Sequence, residues 1–245
     1  MLQLAIAVLI VFIASIVRGF SGFGLSLLAI TGLSLIYAPA DIVPSIFMLE
    51  LVASINLLPS IWKDIHWRSL APLTLGCLIA TPLGVWCLAH ISPAPMQLAL
   101  AIFVLVSTAI LGWGFSLKNI PGIAGSTAVG AACGLSNGAF GIAGPPLILF
   151  YFSSPAGAAA GRASIVAFFL ATDTIGLANQ YHEGLLNWDV VMRAAFYLPA
   201  MLFGVWTGAR SFKGVSEEKF RKVVLILLAI MAVIIGVKAV LALNV

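Results

Sequence analysis

The sequence predicts an all-α polytopic membrane protein with two inverted repeats, each a broken or re-entrant helical hairpin followed by three transmembrane helices. Of its 245 residues, 62% are hydrophobic and only 8% are charged, whereas about 25% of a soluble domain is charged. Several apolar runs approach the roughly 20 residues that a membrane-spanning helix needs. Two glycine-rich interruptions, one in each half of the chain, complete the pattern.

The two interruptions predict breaks in helices at membrane depth. The first reads RGFSGFG over residues 18–24, and the second extends over 134–146 and begins GLSNGAFG. Each glycine lowers helix stability by about 1 kcal/mol, and a backbone break inside a bilayer survives only where protein or a polar cavity surrounds it. Two matched breaks therefore predict one site built from both halves. The alternative is that the glycines are helix-packing surfaces, but packing does not explain a charge at Arg18.

The order of the segments predicts an internal duplication. Residues 1–117 form the first membrane repeat and 121–245 the second, joined near 118–122 and together making one transmembrane domain. Gly84-Val85-Trp86 recurs as Gly204-Val205-Trp206, and weak, ordered identities of this kind are typical of old repeats. The expected segments are 2–17, 25–37, 42–62, 70–89 and 96–115 in the first half, and 122–133, 147–152, 163–181, 188–209 and 223–243 in the second.

The distribution of basic residues favours re-entrant hairpins. If the broken segments cross the membrane, the lysines and arginines divide five against six between the two sides. If each broken segment returns to its own side, nine share one side, against Arg193 and Lys238 on the other, which is a clear positive-inside pattern. The nine are Lys63, Arg68, Lys118, Arg162, Arg210, Lys213, Lys219, Arg221 and Lys222.

The hairpin tips are the predicted substrate site. Helices that restart near Leu25 and Pro146 would present free N–H groups and partial positive charge at mid-membrane. Arg18 offers a planar donor fork for carboxylate, sulfonate or sulfite oxygens; its alternative role is a permanent ion pair with Glu50 or Asp173. The predicted substrate-binding residues are Arg18, Ser21, Gly22, Gly24, Ser136, Asn137, Gly138, Gly141 and Gly144.

Two acidic residues inside predicted spans, Glu50 and Asp173, are candidates for proton coupling. A carboxyl group in the membrane is costly and usually faces a cavity or a partner. Such a group could take up and release a proton during transport. The alternative is a neutral, hydrogen-bonded acid that only holds helices together.

The remaining patterns exclude other classes of function. The histidines are scattered and none has metal-ligand spacing, so no metal site and no cofactor are expected. The sequence contains no Walker loop or HExxH motif, which argues against an ATP-driven pump. No nucleophile–base pair is visible in it, which argues against an intramembrane hydrolase. The net charge is +4. We interpret this excess of lysine and arginine as the enrichment of basic residues in the cytoplasmic loops of a protein of the lipid bilayer, and not as a nucleic-acid-binding surface. The sequence leaves open whether the protein forms a homodimer.

These motifs resemble those of the sulfite exporter TauE/SafE family, over essentially the whole chain. The resemblance rests on RGFSGFG at 18–24, GLSNGAFGIAGPP at 134–146 and the chain length. It implies a multi-pass protein of the bacterial inner membrane that moves small sulfur-containing anions such as sulfite or sulfoacetate, and it implies no catalytic residue. Members often carry a second Gly-Gly pair in the midchain motif, which in this sequence reads Gly141-Ile142-Ala143-Gly144-Pro145-Pro146.

The leading hypothesis is therefore a secondary transporter of a small sulfur-containing anion, coupled to protons. The alternatives are an anion channel, which would show flux without proton coupling, and a membrane scaffold subunit, which would tolerate loss of Arg18. An enzyme is not expected.

Overall fold

A computed structural model describes residues 2–113, 121–152, 157–211 and 217–243. These residues form ten α-helices and a short 3-10 helix at Trp62–Asp64. The predicted junction of the two halves, near 118–122, lies largely outside the described residues. The helices are α1 (Leu2–Ser21), α2 (Leu25–Leu33), α3 (Pro39–Ile61), α4 (Trp67–His90), α5 (Pro93–Gly112), α6 (Ile123–Phe140), α7 (Gly144–Phe152), α8 (Gly157–His182), α9 (Trp188–Ser211) and α10 (Glu217–Leu243).

The helices confirm an all-α membrane protein. Within the described ranges, seven of them are long and apolar enough to cross a bilayer: α1, α3, α4, α5, α8, α9 and α10. Their outward faces carry large apolar side chains, as Leu75, Ile79 and Leu83 do along α4. An apolar outward face is what a lipid environment requires, because the solvent there is hydrocarbon.

The helix breaks are shorter than predicted. Helix α1 continues through Arg18 to Ser21, so only residues 22–24 interrupt it, and α6 continues through Asn137 to Phe140, so its break is 141–143. Gly22, Gly24 and Gly141 have positive φ angles of 84°, 99° and 68°, a conformation that glycine adopts at little cost. The prediction that Arg18, Ser136, Asn137 and Gly138 lie in a non-helical break is therefore wrong.

Those helical glycines serve close packing between helices. A Cβ atom on Gly138 would lie 2.8 Å from the backbone nitrogen of Val85 in α4, and one on Gly134 would lie 2.7 Å from the Cα atom of Cys77. Gly19 faces Val205 and Ala209 of α9 in the same way. The glycines of the two motifs thus have two roles. Some form the turns with positive φ, and others lie in helices and permit close contact with a neighbouring helix.

Both hairpins fold back towards the end of the molecule at which they began. In the first, Gly24 faces Val17 and Gly32 faces Ile10, so α2 runs antiparallel to α1. In the second, α7 returns to the start of α4, where the hydroxyl groups of Tyr151 and Ser69 are 3.1 Å apart. Both hairpins thus fold back on themselves, and their re-entrant placement in a membrane stays a prediction.

The two halves interlock rather than forming separate bodies. Helix α1 packs parallel to α9 and α6 packs parallel to α4, so each hairpin lies against a helix of the other half. Helices α3 and α8 cross at the centre in antiparallel directions, with Phe47 against Gly176. This exchange has the symmetry that an inverted duplication would produce, and the duplication itself stays a prediction.

Charged side chains separate the two ends of the bundle. One end, here called the basic end, carries Lys63, Arg68, Arg162 and Arg210. The backbone N–H of His66 donates to Ser164 Oγ there, which joins the end of α3 to the start of α8. At the opposite end, Arg193 donates to the carbonyl of Asp41, and Lys238 donates to the carbonyl of Leu35 at 2.9 Å.

Candidate functional site

A buried ion pair occupies the centre of the bundle. Arg18, near the C-terminal end of α1, is 1% exposed, and Glu50, in the middle of α3, is 2% exposed. Arg18 Nη1 lies 2.7 Å from Glu50 Oε2, and Arg18 Nη2 donates to Ser54 Oγ at 3.0 Å. Arg18 Nε has no hydrogen-bond acceptor among the described residues. Nη1 likewise has no acceptor with hydrogen-bond geometry in the described residues, so its contact with Glu50 is an ion pair. The guanidinium is thus held by α3 but has unused hydrogen-bonding capacity at both Nε and Nη1.

Glu50 also occupies the N-terminus of α2. Its Oε1 accepts hydrogen bonds from the backbone N–H of Ser26 at 3.0 Å and from Ser26 Oγ at 2.7 Å. A carboxylate here satisfies a free helix N–H group and interacts favourably with the helix dipole. The helix start that the sequence predicts as an anion site therefore already holds an anion, supplied by the protein itself.

A second acid–donor pair lies in the other half of the chain. Asn137 Nδ2 is 3.4 Å from Asp173 Oδ1, and both residues are 2% exposed. Asp173 Oδ2 has no hydrogen-bond partner among the described residues. Arg18 and Asn137 occupy matching positions, each three residues before the end of its hairpin's first helix, at Ser21 and Phe140. The two pairs thus correspond, but only the first contains a cation.

The other predicted site residues lie around these pairs without presenting free polar groups to them. Ser21 Oγ is 2.8 Å from the carbonyl of Val17 and 2.6 Å from that of Phe23. Ser136 Oγ donates to the carbonyl of Cys133. Gly22, Gly24 and Gly141 shape the turns, Gly138 packs against α4, and Gly144 begins α7.

Sequence reasoning missed three residues that contact the buried charges, Ser26, Ser54 and Phe169, whereas Gln180 was expected to form interhelical hydrogen bonds or to line a pore. Ser26 and Ser54 hydrogen-bond Glu50 and Arg18, and the Phe169 ring centroid is 5.4 Å from the guanidinium carbon of Arg18. Gln180 is fully buried further along α8. The spacing of Ser54, one turn after Glu50, could have indicated it, whereas Ser26 and Phe169 are brought near only by tertiary packing.

A groove of about 370 Å³ lies elsewhere, between α5 and α10. It is lined by apolar side chains such as Leu98, Leu105 and Val237, and none of the predicted site residues lines it. The buried charges are therefore enclosed by the bundle rather than open to this groove.

Helices that span a bilayer around a buried arginine, glutamate and aspartate define a polytopic membrane protein with a charged site inside the membrane. Comparison with known families matches residues 7–235 to the family described as "Sulfite exporter TauE/SafE". The chain belongs to this family. It is also 29% identical, over 201 residues, to the "Probable sulfite/organosulfonate exporter TauE" of Cupriavidus necator, covering 78% of this chain and 77% of that protein. No solved structure matches the chain.

Proposed function

We propose that this protein is a secondary transporter that moves a small sulfur-containing anion, such as sulfite or a sulfonate, across the bacterial inner membrane together with protons. Membership of an exporter family and the name of the Cupriavidus necator relative support this substrate class. The observation that carries the proposal is the buried Arg18–Glu50 pair beside Asp173.

The substrate would bind Arg18 by replacing the carboxylate of Glu50. A sulfonate or sulfite group carries several oxygens, which suit the planar guanidinium fork as the carboxylate does. Arg18 Nε, which has no acceptor in the described residues, adds a donor for a further oxygen. Ser54 holds the other side of the guanidinium in place during the exchange.

Charge balance gives a reason for proton coupling. One guanidinium and two carboxylates sum to −1, so one proton makes the empty cluster neutral. Asp173 is the better location for that proton, because its Oδ2 has no donor within the described residues, whereas Glu50 has Arg18 and Ser26. When an anion takes Glu50's place on Arg18, a second proton on Glu50 keeps the cluster neutral. Anion and proton then bind together, because an uncompensated buried charge costs several kcal/mol.

The enclosed geometry suits an occluded intermediate of alternating access. Arg18, Glu50, Asn137 and Asp173 are each at most 2% exposed. Movement of one hairpin against its partner helix would open the cluster to one side at a time, as in other transporters with broken helices.

The test is uptake of radiolabelled sulfite, sulfoacetate, taurine and sulfate by proteoliposomes, with and without a proton gradient. We expect saturable flux of at least one sulfur anion, at least tenfold lower in Arg18→Gln and driven by the gradient. Arg210→Gln is the matched control, because Arg210 is exposed and stacks on Trp206 away from the buried pair.

Three outcomes would count against the proposal. Anion flux that does not depend on the proton gradient would identify the protein as a channel. Full transport activity in Arg18→Gln would show that Arg18 does not bind the transported anion. Absence of flux of every sulfur anion by folded wild-type protein would overturn the substrate class and favour a scaffold.

A further inference from the structure

Helix α8 carries a line of functional side chains that the proposed site does not fully use. Arg162 and Gln180 are 18 positions apart, which is about five full turns at 3.6 residues per turn, so they lie on one face. The rise between them is roughly 27 Å at 1.5 Å per residue, close to the thickness of the hydrocarbon core. Phe169 and Asp173 lie within about 20° of this line.

Gln180 is the least explained group on that face. It is fully buried, and neither its amide nitrogen nor its amide oxygen has a hydrogen-bond partner among the described residues. A buried amide without partners is costly, and native structures rarely retain one without a reason. Its neighbour Asn179 is satisfied within its own helix, donating to the carbonyl of Ile175 at 2.8 Å. Gln180 therefore has two polar atoms available for a ligand.

Arg162 lies at the other end of the line. It is exposed at the basic end and donates to the carbonyl of Phe20 at 3.3 Å, beside Gly22 at the tip of the first hairpin. A cation here attracts anions towards the bundle. Its side chain lies against Gly22, where a Cβ atom would be 2.5 Å from Arg162 Nε.

Two phenyl rings separate these end residues from the buried charges. Phe169 follows Arg162 by two turns on α8 and lies against Arg18. The ring of Phe47, one turn before Glu50 on α3, lies against Gly176, between Asp173 and Gln180. From the basic end to the opposite end, the order is therefore the Arg162 cation, the Phe169 ring, the buried charges, the Phe47 ring and the Gln180 amide.

We propose that this face of α8 lines the path of the transported anion. Arg162 receives the anion at the basic end, Gln180 contacts it on the far side of Asp173, and Phe169 and Phe47 close the two approaches. The amide N–H of Gln180 donates to the anion once Phe47 has moved. This inference rests on the proposed function for the identity of the anion, but not for the existence of the path.

The first experiment compares adjacent amides in the transport assay. We expect Gln180→Leu to lower the maximal flux at least tenfold while leaving detergent-extracted protein at least as stable as wild type, because an unpartnered buried amide destabilises the folded state. We expect Asn179→Leu to keep flux within about twofold. Arg162→Gln should raise the KM for the anion about tenfold, and Arg210→Gln should leave it unchanged. Equal flux in Gln180→Leu and wild type would overturn the role of Gln180.

The second experiment tests the path without assuming the substrate. Single cysteines replace Arg162, Gln180 or the off-face, exposed Thr174 after Cys77, Cys87 and Cys133 are changed to serine or alanine. We expect a membrane-impermeant anionic methanethiosulfonate to label positions 162 and 180 from opposite sides of the bilayer and to spare position 174. Labelling at 162 and 180 without sulfur-anion flux would refute only the substrate. No labelling at 180, with folded protein, would refute the path.

Discussion

The buried Arg18–Glu50 pair predicts a strong energetic coupling between two residues 32 positions apart in the chain. Because both side chains are at most 2% exposed and their charged atoms are 2.7 Å apart, removal of one partner leaves a buried, unpaired charge. Such a loss costs about 3–5 kcal/mol, or roughly a 150- to 4,000-fold change in the unfolding equilibrium. We therefore expect Arg18→Met and Glu50→Gln each to destabilise the protein by that amount.

The double variant should be far more stable than the sum of the two losses. Glu50→Gln keeps an oxygen that can accept from Ser26, and Arg18→Met places an apolar thioether where the guanidinium faces the Phe169 ring. The pair can therefore be replaced without a buried charge or a large void. The remaining cost is the unpaired Ser54 hydroxyl and imperfect packing, about 1–2 kcal/mol. The two single losses sum to at least about 6 kcal/mol, so the expected coupling energy is at least about 4 kcal/mol.

The assay is a double-mutant cycle on the free energy of unfolding, measured by SDS titration in mixed micelles for wild type, both single variants and the double variant. Gly112→Ala, whose added methyl group meets nothing within 4 Å, serves as a control for purification and reconstitution. Additive losses, with a coupling below about 0.5 kcal/mol, would refute a pre-formed ion pair. The double variant should also be unable to transport, which separates the stability of the site from its function.

Three further changes test the fold and the site. Gly138→Ala should lower the free energy of unfolding by about 1–3 kcal/mol, because the added methyl group meets the backbone of α4; Gly112→Ala, which meets nothing within 4 Å, should be neutral in the same titration. Gly24→Ala should cost about 1–2 kcal/mol, because Gly24 has φ of 99°, and unchanged stability would contradict that conformation. Phe169→Ala should raise the passive anion leak of proteoliposomes several-fold without a proton gradient, and an unchanged leak would show that the ring beside Arg18 closes nothing.

Much of the architecture could be predicted because it depends on composition and periodicity. Low charge content and long apolar runs identify a helical membrane protein, since every backbone polar group in lipid must be paired within a helix. The distribution of lysine and arginine favoured hairpins that return to their own side, and Gly24 beside Val17 and Gly32 beside Ile10 show that the first hairpin folds back on itself. The motif RGFSGFG likewise indicated the family before any comparison.

The limits of the breaks could not be predicted, because glycine has two roles in a membrane helix. It permits positive φ, as at Gly24, and it permits close contact of two backbones, as at Gly138. Local sequence does not distinguish these roles, since the difference depends on whether another helix packs against the residue. The helical state of Arg18 and Asn137 follows from that packing.

By itself, the sequence determined the membrane class, the two hairpins and the list of buried charges, because these depend on residue type and spacing along one chain. Only the tertiary structure decided which charges meet. Arg18 pairs with Glu50 and Asn137 with Asp173, while the N-terminus of α2 holds Glu50. Hydrogen bonds form only at about 3 Å, and Coulomb attraction is strongest at such close contact, so partners that are 32 to 36 positions apart are selected by how α1, α3, α6 and α8 pack.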